Sequence, residues 1–129
     1  MHIPPRTTII GITILWTVII FTLCALPGDA IPNPRFNIPY IDKIVHGGLF
    51  FVASLLLIFP LVYYSHLARW KSYLIACIYT VVYGGLIEIL QYYFFNRSGE
   101  IYDLLADFAG AVVACLSYPM ILHILRRKK

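Results

Sequence analysis

The chain has 129 residues, of which 60% are hydrophobic and only 12% charged, and it carries a formal net charge of +4. Soluble domains carry about 25% charged residues, and a mean hydropathy of +0.81 excludes that class. The positive charge is concentrated at predicted membrane-flanking positions, so it reads as topology and gives no reason to expect a nucleic-acid partner.

Four apolar runs follow in chain order, at about residues 7–26, 44–64, 72–95 and 102–125. Each is long enough for a helix crossing ~30 Å of hydrocarbon. Only helices and closed barrels satisfy their backbone in lipid, and these runs are too long and too uniformly apolar for barrel strands. The expected fold is an all-α membrane protein, a bundle of four transmembrane helices forming a single domain over residues 1–129. The first run exceeds a usual signal-peptide core, and no small-x-small cleavage site follows between Leu23 and Asp29, so it is expected to be retained. Cys24, Cys77 and Cys115 lie singly in apolar runs, in a spacing that fits neither a disulfide framework nor a metal motif.

The connections differ in character. Pro27, Pro32, Pro34 and Pro39 make the first one extended, and it could lie over a pocket as a lid. The second, from Ser65 to Lys71, is short and basic. Asn96, Ser98 and Gly99 suit a tight chain reversal, which predicts an antiparallel hairpin of the third and fourth spans. Pro60 and Pro119 are expected to kink or end their spans. With four spans, both termini fall on one side. That side receives Arg6, Arg69, Lys71, Arg126, Arg127, Lys128 and Lys129 and no acid. The positive-inside rule therefore predicts that both termini are cytoplasmic.

All six acids, Asp29, Asp42, Glu88, Glu100, Asp103 and Asp107, then fall on the outer side. A carboxylate within the bilayer is unfavourable by about 2.5–3.5 kcal/mol even on the lenient insertion scale, so its default reading is a functional site. Helical spacing decides which residues share a face. Asp42 and His46 are four apart, Glu88 and Gln91 three apart, and Asp103, Asp107 and Gly110 follow at four and three. At 1.5 Å per residue, His46, Glu88 and Asp107 lie ~6–10 Å inside their helix ends. Gly47, Gly48, Gly84, Gly85 and Gly110 sit at the same level, where small residues let backbones approach. His46, Glu88, Gln91, Arg97 and Asp107 are accordingly expected to surround one cavity. Each element has a plainer reading. Asp42 and Asp103 could cap their helices, Lys43 could snorkel, and Arg97 could simply end a hairpin. Glu88 and Asp107 could pair with Lys43 or Arg97 to pin helices together.

The ordered set Asp42-Lys43-x-x-His46, Tyr83-Gly84-x-x-x-Glu88-x-x-Gln91 and Arg97 followed by Asp103-x-x-x-Asp107-x-x-Gly110 resembles the VanZ-like family. Asp107 stands where that family commonly has Asn. The resemblance implies a multi-pass protein of the bacterial cytoplasmic (inner) membrane, linked to resistance to the glycopeptide antibiotic teicoplanin. It implies no particular chemistry.

The leading functional expectation is a protein acting on, or binding, a membrane lipid or lipid-linked cell-envelope intermediate. Glu88, Asp107 and His46 are the proton-handling candidates, because burial favours the neutral form of a carboxyl. Lys43 and Arg97 would hold an anionic head group, with Gln91, Asp42 and Asp103 orienting it. No cofactor is expected. His46, Glu88, Asp103 and Asp107 could hold a divalent metal, but nothing in the spacing demands one. The alternatives are a non-catalytic lipid- or antibiotic-binding protein and a structural polar core within a larger membrane complex.

Overall fold

The computed structural model describes residues 4–25, 40–95 and 100–127. Asp29, Arg35, Arg97, the prolines between residues 27 and 39 and the reversal at residues 96–99 lie outside the described residues. The described residues form four helices: α1 (Arg6–Cys24), α2 (Ile41–Tyr63), α3 (Arg69–Phe94) and α4 (Ile101–Arg127). All four are long and apolar enough to cross a membrane. Pro60 and Pro119 both lie inside helices; α2 ends soon after Pro60, whereas α4 runs on past Pro119 to Arg127.

The chain direction alternates, so the N-terminal ends of α2 and α4 share one end of the bundle. Lys43 meets Asp103, and His46 meets Asp107, across these two helices. At the opposite end, the Tyr64 hydroxyl at the close of α2 donates to the Pro4 carbonyl just before α1. The start of α1 and the C-terminal ends of α2 and α4 therefore share that end of the bundle. Although α3 and α4 pack as neighbours in sequence, the parallel pair α2–α4 makes the most extensive contact.

Small residues make that contact close. A Cβ on Gly110 would lie 2.9 Å from the Gly47 carbonyl carbon, and closer still to its oxygen. A Cβ on Gly47 would sit 3.2 Å from the Ala106 carbonyl oxygen. Side chains here would hold the backbones apart, as is general for helix pairs in lipid. One buried cluster, Ile20, Cys24, Phe50, Ala53 and Ile87, joins α1, α2 and α3. A second, Ile58, Ala76 and Tyr118, fills the half nearer the chain ends. The outward faces present Leu15, Val82 and Leu116, as a lipid-facing surface requires.

Partly buried polar bonds seat α1. The Trp16 indole donates to the Leu49 carbonyl at 3.0 Å, and the Tyr83 hydroxyl donates to the Thr17 carbonyl at 2.7 Å. Cys24, Cys77 and Cys115 form no disulfide, as expected.

Candidate functional site

Three helices deliver the polar centre. The first turns of α2 carry Asp42, Lys43 and His46, the first turns of α4 carry Asp103 and Asp107, and the last turns of α3 carry Glu88. The close α2–α4 contact sets the depth at which they meet. His46 Nδ1 lies 3.2 Å from Asp107 Oδ1, with both side chains almost fully buried. Asp107 also faces α3, where glycine is required: a Cβ on Gly84 would stand 2.8 Å from Asp107 Oδ2. Gly84 thus makes room for a carboxylate, and Gly47 and Gly110 make room for the backbone.

The two oxygens of Glu88 have different surroundings. Oε2 accepts the Glu100 backbone N–H at 2.8 Å. That donor immediately precedes α4, where the first N–H groups of a helix lack intrahelical partners. Oε1 is buried and, among the described residues, has no hydrogen-bond partner. One oxygen therefore fastens α3 to the start of α4. Ligand-capable atoms of His46, Glu88 and Asp107 all lie within 4.8 Å of one another. Asp42, His46 and Asp103 form a second trio by the same measure, nearer the helix ends.

Gln91 is placed differently from the expected ring around one cavity, and Lys43, expected to hold an anionic head group, is bonded to acids of its own chain. The Lys43 ammonium donates to Glu100 Oε2 at 2.8 Å and to Asp103 Oδ1 at 3.0 Å, and it sits 6.0 Å from the Tyr102 ring centroid. Gln91 donates its amide to the Cys24 carbonyl at 3.0 Å, tying α3 to the end of α1. Of the five residues expected to converge, His46, Glu88 and Asp107 do so, Gln91 turns to α1, and Arg97 lies outside the described residues. Neither Asp42 nor Asp103 is a helix cap. Asp42 is the second residue of α2, whose cap position is Tyr40, and Asp103 is the third residue of α4. Both still favour the positive end of a helix dipole.

Glu100 was missed as a site residue. It binds Lys43 and presents its N–H to Glu88. Its position as the last acid before the fourth apolar run was the available signal.

Beside Glu88 a groove of about 350 Å³ opens between α3 and α4. Gly85, Ile89, Tyr92 and Tyr93 line one wall, Ile101 and Leu104 the other, and Glu88 and Glu100 supply its acidic groups. Ile89, Tyr92 and Ile101 are exposed on the outside of the bundle, so the groove opens sideways as well as toward the helix ends. An apolar chain can lie there with a polar end beside Glu88.

No curated protein and no solved structure matches the chain. The family model described as VanZ/LLP1 matches residues 9–123, which covers most of α1 and α4, the whole of α2 and α3, and every described residue of the polar centre. The chain belongs to the VanZ/LLP1 family.

Proposed function

We propose that this protein binds, and acts on, a lipid-linked envelope intermediate at the outer face of a bacterial cytoplasmic membrane, and that teicoplanin resistance is the phenotype through which this activity is felt. One observation carries the reading. A laterally open, mostly apolar groove runs to the buried carboxyl of Glu88, which adjoins the His46–Asp107 pair. The groove takes the lipid tail, and the polar centre meets the head group. Glu88 Oε1 is the acid or base at the groove, and Asp107 orients the His46 imidazole as a second proton carrier. Lys43 reaches an anionic head group by exchanging Glu100, whose side chain is 44% exposed and thus the more easily released of its two partners.

Two predictions test this. Reporter fusions after Lys71 and after Lys129 should read cytoplasmic, and a fusion at Pro34 should read exterior; an exterior C-terminus would remove any outer-leaflet substrate. A photo-crosslinking residue at Ile89, in the groove, should capture a polyprenyl-phosphate-linked lipid in cells. The same residue at Leu116, which is 75% exposed, should capture bulk phospholipid only. Identical adducts at both positions would rule out the groove as a selective site.

A further inference from the structure

We infer that His46, Glu88 and Asp107 form a binding site for one divalent cation, each giving one ligand atom, buried behind the Glu88 wall of the α3–α4 groove. Three helices each contribute a single donor, and these donors already lie within 4.8 Å of one another. A cation about 2.0–2.2 Å from each donor needs the donors ~3.0–3.5 Å apart, so a short inward rotation of the side chains completes the site.

A second observation points to a ligand. Glu88 is only 9% exposed, yet its Oε1 has no partner among the described residues. Leaving a buried carboxylate oxygen bare is costly, and a cation is a partner that also neutralises it. The other oxygen is held by the Glu100 N–H, so the carboxylate is already oriented. Asp107 is held in place by its contact with His46 Nδ1 and by the space at Gly84.

Charge distinguishes this trio from its neighbour. With a neutral imidazole, Glu88 and Asp107 leave two negative charges in a poorly hydrated region. Among the described residues, Lys43 is the only basic Lys or Arg side chain at this end of the bundle, and it is bonded to Glu100 and Asp103 instead. In the outer trio of Asp42, His46 and Asp103, that same ammonium already neutralises Asp103 and would repel a second cation. One imidazole nitrogen with two carboxylate oxygens suits a first-row divalent ion such as Mn²⁺, Fe²⁺ or Zn²⁺. Ca²⁺ takes six to eight oxygens and fits poorly. Of the three ligands only Glu88 lines the groove, so a phosphate oxygen would reach an open position on the ion past this side chain. Binding of the ion follows from the cluster alone, whereas its use as a phosphate anchor rests on the function proposed above; with the ion bound, Glu88 Oε1 serves as a ligand and not as the proton carrier.

The test uses the full chain in detergent, stripped with a chelator, dialysed, and titrated with Mn²⁺ while the free ion is counted by electron paramagnetic resonance. One saturable Mn²⁺ per chain is expected, displaced by Zn²⁺. Even outer-shell losses around a protein metal lower affinity roughly 10–100-fold, so Glu88→Gln and His46→Gln should each weaken binding by about 10-fold or more. Circular dichroism checks that each variant keeps its helices; should His46→Gln not fold, Glu88→Gln carries the comparison. The inference is overturned by a wild-type chain that binds neither ion saturably, by unchanged affinity in Glu88→Gln, or by a loss seen with Asp42→Asn and not with Glu88→Gln. Crosslinking at Ile89 repeated in excess chelator separates the two proposals. A lipid adduct that persists there leaves the groove standing even where the ion site fails.

Discussion

Gly110→Leu should leave the bundle unable to fold, and Gly110→Ala should lower its stability by about 1–3 kcal/mol, the usual range for overpacking. Any Cβ at this position overlaps the Gly47 backbone, with the carbonyl carbon only 2.9 Å away. A backbone cannot rotate aside as a side chain can. The α2 and α4 helices must separate, and the 3.2 Å contact of His46 with Asp107 and the 3.0 Å bond of Lys43 to Asp103 separate with them. Gly84→Ala should behave differently, because its Cβ would meet the Asp107 carboxylate and not a backbone. It should displace Asp107 and impair the site more than the fold. Gly48→Ala and Gly85→Ala meet nothing within 4 Å and are expected to be tolerated. Thermal unfolding in detergent across the four positions is the measurement. Wild-type stability in Gly110→Leu would mean that α2 and α4 do not touch along this line.

The spans were readable from the sequence to within a few residues, because lipid imposes long uninterrupted apolar runs and nothing else fits them. Spacing also identified His46, Glu88 and Asp107 as residues at one depth. Partner choice was less accessible. Periodicity shows that Gly47 and Gly110 lie on particular helix faces, but it does not say that those faces meet, and the short reversal near residue 98 draws attention to α3–α4 instead of the parallel α2–α4 pair. The same gap accounts for Gln91. Three residues from Glu88 is 300° around a helix, which leaves the two side chains 60° apart, and that offset turns Gln91 to Cys24 of α1. Lys43 was identifiable as a cation near the site, but its two acid partners come from beyond the α3–α4 reversal, 57 and 60 residues away. Asp42 precedes its apolar run and Asp103 stands at the very start of its own, so both looked like caps, yet the helices begin earlier, at Ile41 and Ile101. The backbone N–H through which Glu100 meets Glu88 carries no sequence signal at all.

Glu88→Gln should abolish the resistance phenotype, or turnover of a lipid-linked substrate, while leaving helix content and melting temperature nearly unchanged. The structure separates the two consequences of the change. Glutamine keeps a carbonyl oxygen that can accept the Glu100 N–H now held at 2.8 Å, so the link between α3 and α4 survives. At the Oε1 position the amide puts two N–H donors where an oxygen without a partner among the described residues now lies, on a side chain clustered with His46 and Asp107. The titratable proton is gone, and so is the negative charge, but the volume is the same. Asp107→Asn is the informative companion. Its amide oxygen can still face His46 Nδ1, and the resembling family commonly carries Asn there, so folding and at least partial function should remain. If the polar centre serves only to pin helices, the two variants should not diverge in this way. Glu88→Gln would then keep full function, because its one structural bond is preserved, or would lower stability together with function if that bond fails. Breaking a buried charged pair by removing one partner costs about 3–5 kcal/mol, a loss easily seen in a melting curve. Loss of function with an unshifted melting temperature is therefore the pattern that assigns chemistry to Glu88, and a folded, fully functional Glu88→Gln protein would remove it from the mechanism.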